Sequence, residues 1–288
     1  MHIPDSSRPE AQPRPRTSDP RVWDDAVLQR ALDRASDGTW GPVAVLPSTG
    51  STNADAAEQS REGAPEGFTV VADEQTEGRG RLGRAWQSPS GAGLAMSVVL
   101  RPRPPADTWG WLPLIAGLAV VDALDVAGVV SALKWPNDVV VDAAARDGGP
   151  GPRKLGGLLL ERVGDAVVVG IGLNVDLGAS ELPVPHATST SLEGSPAGRE
   201  DLLVEILESL RRGYTLWQNN SGDAAASGTA AAYSARCLTL GRSVRALLPG
   251  DGVVEGVATA IDSDGRLVIA CRDGSSRALS AGDIEHLR

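Results

Sequence analysis

Between residues 111 and 126 the chain is apolar and periodic at helical spacing. A helix that is apolar on nearly every side has no face to give to water, so it has to be buried inside a layered domain. The flanking segments supply the layers. Residues 43–46, 68–72 and 94–100 read as strands, residues 49–53 as a turn rich in capping side chains, and a helix is expected over 54–62. Beyond the buried helix, residues 132–135 and 139–141 flank a Pro-Asn-Asp turn as a hairpin. Residues 143–153 read as a Gly/Pro loop, and 155–161 and 166–175 as adjacent strands. An amphipathic helix is expected over 200–217 and a weaker one over 223–232.

From Cys237 the texture changes. Short β patterns at 243–248, 252–261, 267–271 and 276–279 alternate with hairpin-type turns at Asp264-Gly265 and Asp273-Gly274. Residues 236–288 are therefore expected to form a small β-barrel after a larger domain over 21–235. Residues 1–20, rich in Pro, Arg, Ser and Asp, lack the apolar content to order themselves and read as a disordered tail. Residues 24–35 have helical spacing but are too short for a helix-turn-helix unit, so no DNA-reading module is expected.

Composition closes off several function classes. A formal net charge of −10 argues against bulk attraction to nucleic acid. Cys237 and Cys271 match no zinc spacing and make no disulfide framework, which suits a reducing compartment. His2, His186 and His286 are scattered, so a histidine metal site is not expected. No apolar run is expected to reach membrane-spanning length, and the N-terminus lacks the apolar core of a signal peptide. The expectation is a cytoplasmic protein without a membrane partner.

The segment Gly78-Arg79-Gly80-Arg81-Leu82-Gly83-Arg84 carries the clearest chemistry. Glycine lets backbone approach a ligand closely, and arginine presents a planar, permanently charged fork to phosphate or carboxylate. Such a loop suits an anion such as a nucleotide phosphate. Of 27 basic residues only Lys134 and Lys154 are lysines. A lysine kept where arginine is otherwise used suggests a need for a compact point charge, with chance survival as the alternative.

In chain order, five motifs resemble those of biotin–protein ligases. They are Ser51-Thr52-Asn53, Gln75 with the arginine–glycine segment and Trp86, Lys134-Trp135-Pro136-Asn137-Asp138, Lys154-Leu155-Gly156-Gly157, and Gly170-Ile171-Gly172-Leu173-Asn174-Val175. The closing barrel, with Gly282-Asp283, resembles that family's C-terminal domain. The resemblance implies an α+β fold. A mixed β-sheet flanked by helices, like that of class II aminoacyl-tRNA synthetases, would precede a small SH3-like β-barrel. It implies the monofunctional type without an N-terminal DNA-binding domain, hence no operator binding. It also implies ATP-dependent, AMP-forming activation of biotin, then transfer to a lysine of a biotin carboxyl carrier domain of an acyl-CoA or pyruvate carboxylase. Both a monomer and a ligand-linked homodimer occur among similar proteins, and both stay open here.

The resemblance assigns roles position by position. Lys154 would lie between biotin's carboxylate and the α-phosphate of ATP, neutralising both. Arg81 and Arg84 join it as catalytic residues, with Arg81 retaining the adenylate under a loop that is mobile when empty. Ser51, Thr52 and Gln75 would hydrogen-bond biotin's ureido ring, although the first two also suit a plain helix cap. Gly78, Arg79 and Gly156 complete the biotin set. Arg79, Arg81, Arg84, Trp86, Lys134, Asn137 and Asn174 form the nucleotide set. Trp86 reads equally as a core side chain, and Asn174 as an asparagine satisfied by backbone. Asp138 would help hold Mg²⁺ on the triphosphate. The rivals are a lipoate or octanoate ligase of the same superfamily, a non-catalytic biotin- or nucleotide-binding module, and an RNA-binding Arg-Gly segment. Retention of Lys154 and Asp138 argues against dead chemistry.

Overall fold

The computed structural model describes Trp23 and residues 40–142, 151–248 and 252–287. The tail expected over 1–20, the helix over 24–35 and residues 143–150 of the expected loop lie outside the described residues. The first sheet comprises β1 (Val43–Leu46), β2 (Thr69–Ala72), β3 (Gly93–Leu100), β4 (Ala132–Lys134), β5 (Asp138–Val141), β6 (Arg153–Val163) and β7 (Ala166–Asn174), in spatial order β1-β2-β3-β7-β6-β5-β4. The β1–β2 pair is parallel and the others are antiparallel, so the sheet is mixed. Helices α1 (Thr52–Arg61), α2 (Leu112–Val126), α3 (Arg199–Asn219) and α4 (Thr229–Arg236) accompany it.

Strand alternation sorts the side chains between two faces. Leu94, Met96, Val98 and Leu100 of β3 and Val169, Ile171 and Leu173 of β7 point into the main core under α2 and α3. Val99 and Val168 point the other way, against Ala56 and Ala57 of α1. The apolar α2 is buried along most of its length and packs on α3, as its sequence demands. With the preceding 3₁₀ turns (Ala106–Trp111), the helical run from Ala106 to Val126 is long and apolar enough to cross a membrane by length and composition. That corrects the expectation that no run reaches such a length. Its burial in the main core accounts for the apolarity.

The second sheet contains β8 (Ser243–Leu247), β9 (Val253–Ile261), β10 (Leu267–Cys271), β11 (Ser276–Leu279) and β12 (Asp283–His286). Its order is β11-β10-β9-β8-β12, antiparallel throughout, an arrangement of the SH3-like kind. Two elements differ from expectation. The helix expected over 223–232 begins only at Thr229, because the left-handed Gly228, with a φ of 74°, breaks it off from the turn that Asp223 caps through the N–H groups of Ala225 and Ala226. The short, charged β12 has no alternating apolar pattern and is recognisable only through its pairing with β8.

The turn between β9 and β10 docks on the larger sheet. The Trp111 indole donates to Ser263 O at 2.7 Å and the Trp135 indole to Gly265 O at 3.2 Å. Gly110 has no room for a side chain here, since a Cβ would sit 2.2 Å from Asp264 O. Leu238 N–H donates to Leu133 O, so the chain leaves the first domain alongside β4. His286 Nε2 lies 3.2 Å from Thr239 Oγ1, which also accepts the Trp135 N–H.

Burial, then the charges of Lys134 and Arg242, lower the His286 imidazole from 6.5 to about 4, with Asp142 opposing. A base whose folded pKa is depressed stays neutral while the unfolded chain takes up a proton. The associated stability is complete above 6.5 and is lost as pH falls toward about 4. The thermal midpoint should therefore fall across that window, with about one proton taken up on unfolding. His286→Asn should flatten the fall, and an undiminished fall in the variant would assign it to other groups.

Candidate active site

The floor of the site is a patch of small residues in matched register. Gly157 of β6 lies opposite Gly172 of β7, which lies opposite Ala95 of β3. In the adjacent row Leu159, Gly170 and Ser97 align in the same way. Each glycine is occupied from above. A Cβ would fall 2.1 Å from Asn53 Oδ1 at Gly170, 2.5 Å from Trp86 Cε2 at Gly172, and 3.2 Å from Lys154 Nζ at Gly157. Over this floor opens a cavity of about 510 Å³.

Lys154 reaches the cavity because β6 is irregular beside it. Val139 pairs with Gly156 but Val140 pairs with Lys154, leaving Leu155 as an extra residue. Such a bulge shifts the alternation by one position, so Lys154 shares the face of Gly157 rather than that of Gly156. Its backbone is held on the other side: Lys154 N–H donates to His186 O at 2.7 Å, and Thr188 N–H donates to Lys154 O at 2.9 Å. The Lys154 ammonium donates to Asp138 Oδ1 at 2.6 Å and lies 5.9 Å from the Trp86 ring centre. Trp86 is thus a wall of the site and not a core side chain.

The arginine–glycine segment is a tight hairpin. Trp86 N–H donates to Gly78 O at 2.8 Å, Gly80 N–H donates to Arg84 O at 2.6 Å, and Arg79 bridges Ala85 between them. At the tip, Leu82 and Gly83 both take left-handed φ angles, 56° and 73°. The rungs splay the three arginines. Arg79 lies 3.6 Å from Glu161, Arg81 donates to Asn137 Oδ1 at 3.0 Å, and Arg84 pairs with Asp283 of β12. Burial lowers the Arg81 pKa, while the carboxylates of Asp283 and Asp138 push it back up and the charge of Arg84 lowers it. A partly desolvated guanidinium attracts an anion more strongly than one in water.

One stretch of the cavity lining is neutral and polar. Gln75 Oε1 accepts the Thr52 N–H at 2.9 Å and faces Ser51, which stands at the N-cap of α1 without a side-chain capping bond. The cap alternative for the Ser51 hydroxyl is therefore not realised. Asn174 is buried; its Nδ2 donates to Thr188 O at 3.0 Å while Oδ1 lacks a partner among the described residues. Asn137 is fixed by Nδ2 donating to Leu158 O at 3.1 Å.

All the residues nominated from sequence line the cavity except Gly78, Lys134 and Gly156. The two glycines permit close backbone packing instead: a Cβ at Gly78 would lie 2.3 Å from Trp86 O, and one at Gly156 would lie 2.6 Å from Gly172 O. Lys134 closes the β4–β5 hairpin opposite Asp138, and its charge acts on His286. Sequence reasoning missed Asp283, the wall from Pro183 to Ala187, and Asn53 with Ser97 and Glu161 beside the floor. Glycines inside the apolar β7 pattern were a legible signal of close approach at that floor. The Pro183–Ala187 loop carried none.

Comparison with known proteins gives a consistent set of matches. Residues 45–177 match the Biotin/lipoate A/B protein ligase family, and residues 239–287 match the Biotin protein ligase C terminal domain. A biotin–[acetyl-CoA-carboxylase] ligase of Mycobacterium tuberculosis is 40% identical, covering 92% of this chain and 96% of its own length. One of Paracoccus denitrificans is 35% identical, over 78% of this chain and 92% of its own. The solved structure of biotin protein ligase from Aquifex aeolicus in complex with biotin and ATP aligns with a TM-score of 0.70 at 29% identity. It covers 85% of this chain and 98% of that one.

The floor can be tested by adding single methyl groups. Gly170→Ala forces a Cβ against a buried, fixed amide and should cost about 1–3 kcal/mol of stability. Gly157→Ala meets the end of a flexible lysine and should cost less than about 1 kcal/mol. Urea unfolding of both variants checks the order, and equal costs would mean that Asn53 does not press on the floor.

Proposed function

The chain belongs to the biotin protein ligase family, and on that premise we propose that this cavity is where biotin is activated with ATP and passed to a protein lysine. One observation carries the reading. Lys154 and three arginines line the same cavity as the neutral, polar side chains of Ser51, Thr52 and Gln75. The cations suit a carboxylate meeting a triphosphate; the neutral donors and acceptors suit a ureido ring.

In the first step a biotin carboxylate oxygen attacks the α-phosphorus, the bond to the β-phosphate oxygen breaks, and pyrophosphate leaves. Both reactants are anions, so positioning and cationic stabilisation supply most of the catalysis. Lys154 turns from Asp138 toward the two anions as they meet, and Arg81 and Arg84 hold the phosphates. Arg79 holds the carboxylate end, Trp86 stacks beside the base, and the open Asn174 Oδ1 accepts from the nucleotide. In the second step a carrier lysine amine attacks the acyl carbon, the acyl–phosphate oxygen bond breaks, and AMP departs as the amine loses a proton. The arginine hairpin shields the anhydride from water between the steps.

Mg²⁺ would supply charge neutralisation on the triphosphate. Among the described residues no three His, Cys, Asp or Glu side chains cluster as a metal cage. The donor set fits an ion held by the Asp138 carboxylate and substrate oxygens, the usual economy for magnesium. Lys134 stands near this turn and supports it rather than the ligand. The acceptor is a biotin carboxyl carrier protein, and we assign it to an acyl-CoA or pyruvate carboxylase. A cytoplasmic setting fits the free thiols of Cys237 and Cys271. The proposal includes no DNA or membrane partner, and ligand-linked dimerisation is its oligomeric alternative to a monomer.

The test is biotin-dependent exchange of labelled pyrophosphate into ATP without carrier protein. Exchange with biotin and not lipoate is expected; exchange with lipoate alone would move the chain to the other branch, and none with either would remove the activity. Lys154→Ala should lower the exchange rate by about 10²–10³-fold, as loss of a preorganised cation does, and near-normal exchange would end its catalytic assignment. Arg81→Gly should still form the adenylate but release it, labelling bystander lysines. Tight retention would refute its role in closure.

A further inference from the structure

A line of polar contacts runs beside the cavity floor from Gln75 to Arg79 of the arginine hairpin. Gln75 Oε1 accepts the Thr52 N–H at 2.9 Å, and Thr52 Oγ1 lies 2.8 Å from Ser97 Oγ. Ser97 Oγ donates to Asn53 Oδ1 at 2.7 Å, and Asn53 Nδ2 donates to Glu161 Oε2 at 2.7 Å and to Leu159 O at 3.2 Å. That same Glu161 oxygen lies 3.6 Å from the Arg79 guanidinium. Thr52, Asn53 and Ser97 are all buried.

The middle of the line is held. Both ends of the Asn53 amide are bonded, and it packs directly on Gly170, where a Cβ would lie 2.1 Å from Asn53 Oδ1. Asn53 therefore gives one oxygen of the Glu161 carboxylate a buried, held partner. A carboxylate beside a cavity for two anionic substrates is unfavourable by direct charge. Its presence makes sense only through a cation it holds, and Arg79 is the cation beside it.

We infer that Glu161, oriented by Asn53 and Ser97, is a positioning residue for Arg79, setting the guanidinium at the carboxylate end of the biotin site. The inference rests on the ligase reading and on the assignment of Arg79 to biotin. The bland alternative is a half-exposed surface ion pair without consequence, since Arg79 is 51% and Glu161 34% exposed. Energetic coupling between the two residues separates the readings.

The experiment is a double-mutant cycle on the full chain, read as KM for biotin and kcat in pyrophosphate exchange, with urea midpoints alongside. Glu161→Gln should raise the biotin KM about threefold to fivefold, the scale of one partly exposed charge pair, with kcat and the midpoint nearly unchanged. Glu161→Asp, which keeps the charge, should restore part of the loss. Arg79→Gln should raise the biotin KM further, and the double variant should be no worse than Arg79→Gln alone. Multiplying effects in the double variant, or a biotin KM in Glu161→Gln equal to wild type, would overturn the inference while leaving the ligase reading intact. Absence of exchange in the wild-type protein would overturn the ligase reading itself.

Discussion

Three glycines on one face of two neighbouring strands, Gly157 opposite Gly172 and Gly170 two residues along, are the constraint on which the site depends. Gly157, Gly170 and Gly172 keep the sheet surface flat where Lys154, Asn53 and Trp86 lie directly on it. Glycine in a strand interior ordinarily weakens the strand, through lost entropy and lost packing. Here β6 and β7 recover it by being long and paired on both sides, and their opposite faces carry Leu155, Leu158, Val169, Ile171 and Leu173 into the main core. One sheet thus performs two tasks with alternate residues: the apolar set binds α2 and α3, and the small set makes room for ligand. The bulge at Leu155 joins the tasks, because without it Lys154 would fall on the core side.

The electrostatics follow from that geometry. In this state the cations of the cavity rest on carboxylates or amides: Lys154 on Asp138, Arg79 on Glu161, Arg84 on Asp283, Arg81 on Asn137. Such pairs keep several like charges together in a protein of net charge −10. They also mean that an incoming anion competes with a resident partner. The competition is balanced, since each resident pair is at least partly exposed and so individually weak. Catalysis gains when the partners exchange only as the substrates close up, because stabilisation is then concentrated on the transition state.

Much of this was legible in the sequence, for identifiable reasons. The apolar helix, the hairpin around Pro136 and the β-rich C-terminal stretch follow from periodicity and turn chemistry, which are local. Lys154 and the arginine–glycine segment stand out because the residue types are unusual in this composition. What was not legible is relational. Asp283 joins the cavity because the second sheet docks through Trp111 and Trp135. No local pattern announces that a residue near the chain's end will face Arg84. Asn53 looked like part of a helix start, and its role appears only once Gly170 is seen beneath it. The helix expected over 223–232 is broken by the left-handed Gly228, which separates the turn capped by Asp223 from the helix that starts at Thr229.

The docking of the second sheet also explains why the Lys-Trp-Pro-Asn-Asp segment keeps its tryptophan. Trp135 gives its indole N–H to Gly265 and its backbone N–H to Thr239, both beyond the first sheet. Two residues later Asn137 takes Arg81, and the next residue, Asp138, takes Lys154. A buried aromatic anchored at both ends has little freedom, so the turn after it inherits that rigidity. The same second sheet reaches back to the arginine hairpin through Asp283. Both sides of the cavity mouth, the Pro136 turn and the hairpin, therefore take their position from one docked domain. Loosening that docking should disturb Arg84 and Arg81, whose partners Asp283 and Asn137 lie on the second sheet and on the turn after Trp135, before it disturbs Ser51 and Thr52 at the start of α1.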